Sequence, residues 1–245
     1  MTSPTRRNFL RSGTLATVSP VLNSCSKEKS PPEPEPFKGI VDIHQHVGYL
    51  ERPDAQLIAH QELMGITQTV LLPSASAVSL PSTHDGKSNG LAAGARGNEA
   101  CRRIVEDNPE HYASFANEVP DLPNARQELE RFLKAGAIGI GEQKFAIDCD
   151  SKHSELIASI AKEFDVPVLL HFQHGSYNLH FERFHKILEK FPSVNFIGHA
   201  QTWWGNIDLN HKQPTMYPKD PVTPGGLTDR YLADYPNLFG DLSAG

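Results

Sequence analysis

From Gly39 onward the chain alternates short apolar runs with amphipathic stretches, and that alternation limits its fold more than any other feature. The runs predict strands over 40–47, 69–73, 112–118, 137–145, 167–172, 194–199 and 238–242. The stretches between them predict helices over 54–64, 98–107, 123–135, 154–164 and 181–191, the first opened by Pro53 and closed by Gly65. Strands separated by helices of this length pair in parallel through right-handed crossovers. The expected fold is an α/β, TIM-like (β/α)8 barrel over 39–245 with seven of its eight strands present, its site at the C-terminal ends of the strands. An open doubly wound sheet is the alternative, but no Gly-x-Gly-x-x-Gly follows the first strand to support it. The seventh run ends just before Gly245, so the last strand is expected beyond the sequence.

The strand ends carry the chemistry. Ile40-Val41-Asp42-Ile43-His44-Gln45-His46-Val47 delivers two histidines at spacing i, i+2, and in an extended strand Asp42, His44 and His46 share one face. Glu142 and Lys144 share a face of the fourth strand, His171 closes the fifth, and His199 closes the sixth. In a barrel these ends converge, and imidazoles meeting a carboxylate make a site for zinc, or manganese, with a position open to water. If Glu142 or Lys144 bridges, two ions fit; otherwise one does, and an ion pair between Glu142 and Lys144 is the structural alternative. Trp203 and Trp204 follow the sixth strand and offer an aromatic wall for a substrate ring, or a hydrophobic plug. His174 and Tyr177, after the fifth strand, are further candidate substrate contacts. The stretch 206–228, rich in Pro and Gly, reads as a long loop able to cover the site, and 74–97, with His84 and Asp85, as another. The remaining histidines, His60, His111, His153, His180, His185 and His211, read as surface or packing residues.

Asp42-Ile43-His44-Gln45-His46, Gly141-Glu142-Gln143-Lys144, Leu169-Leu170-His171-Phe172, Phe196-Ile197-Gly198-His199-Ala200 and Phe239-Gly240-Asp241-Leu242-Ser243 together resemble the amidohydrolase superfamily. The resemblance is to its amidohydrolase-related branch, which includes aminocarboxymuconate semialdehyde decarboxylase and lactonases, and it runs from Ile40 to Gly245. It implies His44, His46 and His171 as metal ligands and His199 as a ligand or catalytic group. The branch takes an aspartate general base from its eighth strand; Asp241, on the seventh, is not its match, so that aspartate is expected beyond Gly245. The implied function is metal-dependent hydrolysis of an ester, lactone or amide. Non-oxidative decarboxylation of an aromatic or enoic acid is the alternative on the same fold, and a non-catalytic, lipid-tethered binding protein is a second.

Residues 1–24 hold Arg6, Arg7 and Arg11 and no acid, and Thr5-Arg6-Arg7-Asn8-Phe9-Leu10 resembles a twin-arginine export signal followed by a weakly apolar stretch. Leu22-Asn23-Ser24-Cys25 resembles a lipoprotein cleavage site, so the protein is expected to reach the periplasm with Cys25 carrying a membrane tether, simple cleavage nearby that leaves it free being the alternative. Residues 25–38 form a Pro-rich tether. Cys101 and Cys149 are too few for a disulfide framework, though they can pair in an oxidising compartment. A net charge of −6 argues against nucleic acid as a partner and leaves a small molecule. Oligomeric state is not legible.

Overall fold

The computed structural model describes residues 39–75 and 94–243. The stretches read from sequence as an export signal and a tether with Cys25, and also His84 and Asp85, lie outside the described residues. Among the described residues, seven strands and seven α-helices follow in order: β1 (Val41–Gln45), α1 (Asp54–Leu63), β2 (Gln68–Leu71), α2 (Asn98–Asp107), β3 (Tyr112–Ser114), α3 (Ala125–Lys134), β4 (Ile140–Gln143), α4 (Lys152–Phe164), β5 (Val168–His171), α5 (His185–Lys190), β6 (Phe196–His199), α6 (Gln201–Gly205), α7 (Leu227–Asp234) and β7 (Leu238–Gly240). Every strand pair is parallel, in chain order within β1–β3 and within β4–β7. A parallel bridge between Ala116 and Ile140 joins the two groups, with the Ala116 and Gly141 amides donating to the Gly139 and Ala116 carbonyls.

This sheet is curled. Laid flat, seven strands would set β1 and β7 about 29 Å apart. Instead His44 Nδ1 of β1 lies 2.6 Å from Asp241 Oδ2, immediately after β7. Only a sheet rolled about an axis allows this, and the architecture is that of a TIM-like barrel. Among the described residues, no strand pairs with the outer edges of β1 and β7.

Strand alternation then sorts the side chains into layers. On β5, Leu169 and His171 face inward while Val168 and Leu170 join the helix-facing core; on β6, Ile197 and His199 face inward. Leu169 and Ile197 pack with Val70, Leu72 and Phe115 as an apolar floor, and the histidines sit one layer above it. Outside the sheet, Leu129, Phe132, Ile157, Ile160, Phe184 and Phe196 fill the space under α3, α4 and α5. Ser151 caps α4 by accepting from the Ser154 amide.

The strands are shorter than the apolar runs, because a residue beyond the last ladder hydrogen bond is still buried by the loop above it. Cys101 and Cys149 are separate, buried free thiols in different core clusters, so the pairing allowed by sequence is not made. Burial pushes the Cys101 thiol up to about 12. Two further helices, α6 and α7, were not expected from the sequence. α6 begins directly after β6, and α7 begins at Leu227, inside the end of the stretch 206–228 read as a loop, whose Pro and Gly content hides its start.

Candidate metal centre

β1 brings two imidazoles to the barrel mouth with their tautomers set. His46 Nδ1 donates to the Leu72 carbonyl at 2.8 Å, and His44 Nδ1 donates to Asp241 Oδ2 at 2.6 Å. In its neutral form each ring thereby keeps Nε2 as a lone-pair donor. Both Nε2 atoms face one carboxylate: Glu142 Oε2 lies 3.4 Å from His46 Nε2 and 3.6 Å from His44 Nε2. The register shift of β1 between Asp42 and Gln45 accompanies this placement, and Asp42 secures the turn by accepting from the His44 amide and from Gln45 and Gln61.

Glu142 is fully enclosed, 1 % exposed, at the end of β4. His171 Nδ1 bonds its Oε1, and His199 Nε2 lies 3.8 Å from the same oxygen. His199 Nδ1 lies 3.5 Å from Asp241 Oδ2 and 3.2 Å from Ser243 Oγ. The structure therefore brings together His44, His46, Glu142, His171 and His199, each of them predicted from the sequence. It adds Asp241, which the sequence reading set aside. That residue follows a short strand at the end of the sheet, and only the curl of the sheet carries it to β1.

The electrostatics follow from burial against partners. Burial depresses His44, but the hydrogen bond to Asp241 and the negative charge of Glu142 and Asp241 outweigh it and carry the imidazole up to about 9. His46 and His171 are lowered by burial. His199, also lowered by burial, falls to about 3 and is neutral at neutral pH. Burial would raise Glu142, yet His171 and His44 hold its carboxyl well below the usual range; Asp241 is likewise lowered, the bond and charge of His44 outweighing its burial.

One atom tests whether these residues suit a metal ion. Glu142 Oε2 is buried without a hydrogen-bond partner, a costly state for a carboxylate oxygen. Two donors about 2.1 Å from one tetrahedral cation lie about 3.4 Å apart, close to the separations found around this oxygen. Ligand atoms of His44, Glu142 and His199 also lie within 4.8 Å of one another. The nitrogen and oxygen donor set suits a borderline divalent cation, and the residues fit.

The cluster floors a cavity of about 570 Å3, also walled by Tyr49, Arg52, Lys144, Gln201, Trp204 and Tyr217. Trp204 stands edge-on to His199 at 5.1 Å and donates to the Asp241 carbonyl. Trp203 does not line this cavity. Successive helical residues point about 100° apart, and in α6 Trp203 turns into the core against Phe172 and Phe181. Lys144 does not meet Glu142 as an ion pair; its Nζ stands 5.3 Å over the Tyr177 ring. Tyr177 is buried edge-on to His171 at 5.6 Å, and His174 lines a neighbouring cavity of about 300 Å3. Neither reaches the wall of the histidine cavity. The stretch 206–226 brings Tyr217 to the wall, where its hydroxyl accepts from Gln201.

No protein-family model and no curated protein matches the chain. Solved structures do share its fold. An uncharacterised TIM-barrel protein of Bordetella bronchiseptica superposes with a TM-score of 0.55 at 12% identity, over 82% of this chain and 74% of that one. A 2,6-dihydroxybenzoate decarboxylase from Rhizobium superposes with a TM-score of 0.51 at 15% identity, over 83% of this chain and 79% of that one. Its complex with 2,6-dihydroxybenzoate gives 0.50 over similar spans. At this identity the likeness establishes the TIM-barrel fold.

Proposed function

We propose that the chain is a metal-dependent enzyme of the amidohydrolase type, hydrolysing an ester, lactone or amide bond in a small molecule. The observation that carries this reading is the orphaned, buried Glu142 Oε2 between the Nε2 atoms of His44 and His46. His44, His46, Glu142 and His199 would hold the ion, zinc or manganese, with His171 orienting Glu142. A divalent ion in such a site supplies Lewis acidity, polarising a carbonyl and making water a nucleophile at neutral pH. Asp241, ionised and paired with His44, orients that ring and is the carboxylate nearest the cluster for holding a proton. Trp204 and Tyr49 supply flat walls for the substrate body.

Non-oxidative decarboxylation is the second reading, favoured by the fold neighbour named as a 2,6-dihydroxybenzoate decarboxylase. Chelation followed by restoration with zinc or manganese tests both. Ester, lactone or amide cleavage that vanishes and returns supports the first reading; carbon dioxide release from an aromatic or enoic acid under the same regime supports the second. Turnover that ignores the chelator refutes the metal-dependent reading, and a loaded site with neither activity favours a binding protein. Twin-arginine export and lipidation of Cys25 remain part of the proposal, tested by loss of membrane association in Cys25→Ser.

A further inference from the structure

The chain is acidic overall, with a net charge of −6, yet two cations on the cavity wall lack a carboxylate partner among the described residues. Arg52 follows the 3-10 turn Tyr49–Glu51, and its Nη2 donates to two neutral acceptors, Gln45 Oε1 and the His46 carbonyl, each at 3.0 Å. Its Nε is buried with no acceptor among the described residues. Asp42 shares the wall, but its carboxylate is engaged by the His44 amide, Gln45 and Gln61. Lys144 has the Tyr177 ring under its Nζ. The carboxylates of Glu142 and Asp241 are committed to the histidines. Even with a divalent cation balanced by those two acids, positive charge is left over on the wall.

We infer that the substrate carries an anionic group besides the one that reacts, and that Arg52 and Lys144 are the specificity-determining residues that recognise it. This rests on the enzymatic reading above and names its substrate class: an organic acid whose carboxylate stands apart from the reacting carbon. A guanidinium with an unused donor and an ammonium over an aromatic face offer charge-assisted hydrogen bonds, which are stronger than neutral ones. Tyr49, Trp204 and Tyr217 suit a planar or unsaturated body, and the Gln201 Oε1 atom, buried without a donor, can accept from a substrate hydroxyl. A cavity of about 570 Å3 is in the usual range for small molecules.

Isothermal titration of the zinc-loaded full chain with isophthalate and with benzoate separates the two charges. Either probe can bring one carboxylate to the metal centre; only isophthalate brings a second to Arg52 and Lys144. Isophthalate should bind about tenfold or more tightly than benzoate, a single charge-assisted contact being enough for that ratio. In Lys144→Met and in Arg52→Gln the ratio should fall towards one, with zinc content held. Equal binding of the two probes by the unmodified chain, or a preference that survives in both variants, overturns the inference. Arg52 also holds the His46 carbonyl, so if Arg52→Gln loses zinc, Lys144→Met decides alone. A chain that fails to hold zinc at all refutes the metal-enzyme reading instead. The comparison then becomes isophthalate against neutral isophthalamide on the metal-free chain, where a preference for the anion supports the role of Arg52 and Lys144 and equal binding refutes it.

Discussion

At the scale of single residues, the centre turns on Glu142 and on the proton of His44. Glu142→Gln keeps the shape but removes the charge and leaves an amide facing the histidines, so metal affinity should drop by more than about 100-fold, read by chelator competition. Asp241→Asn removes the anion that sets His44, and about 10- to 100-fold is the expected cost in affinity. The pH dependence has a definite sign. With its pKa raised to about 9, His44 in the metal-free chain is protonated at neutral pH, and an ion can bind Nε2 only by displacing that proton. Affinity should therefore fall as pH drops below 9, by about tenfold per unit for the one proton displaced. Titrations in buffers of different ionisation enthalpy measure that proton, and a buffer-independent heat would refute it. His44, His46, Glu142, His171 and His199 were legible because each lies at the end of an apolar run, where a barrel gathers side chains. Asp241 was not, since its place at the centre depends on the rolled sheet and on no local pattern.

At the scale of elements, β6 and α6 show how a small residue allows a large one. A Cβ at Gly198 would lie 2.2 Å from the Trp203 ring, so the glycine is the recess into which the indole packs. Gly198→Ala should shift the indole or the strand and cost about 1–3 kcal/mol, as overpacking does, measured as a lowered urea midpoint with altered tryptophan emission. Its effect should reach the metal centre too, because His199 is the next residue and Trp204 touches both His199 and Asp241. An unchanged midpoint would show that the ring can move aside freely. Adjacent tryptophans read alike in a sequence; the start of α6 at Gln201 decides which one faces the cavity and which the core. Strand order and most helices could be read from periodicity. α7 could not, because the Pro- and Gly-rich stretch before it and its length of 8 residues leave too little periodic signal.

At the scale of the whole molecule, the centre ties together strands that are far apart in the chain. His44 and His46 belong to β1, Glu142 to β4, His171 to β5, His199 to β6, and Asp241 follows β7. Among the described residues, β1 and β7 have no ladder hydrogen bonds on their outer edges, so the His44–Asp241 pair is the contact that spans them at the site. An ion bound by β1, β4 and β6 residues exists only when the sheet is rolled, so binding must stabilise the fold. At a free concentration about 100 times the dissociation constant, the gain is about 2.7 kcal/mol. For a domain of this size that corresponds to about 5–10 °C in Tm. Scanning calorimetry of the chelated and zinc-loaded chain should show that rise, and Glu142→Gln should abolish most of it. A loaded chain that melts with the metal-free one would mean that the ion binds somewhere the unfolded chain also offers, and the rolled centre would lose its role in holding β1 to the rest of the sheet.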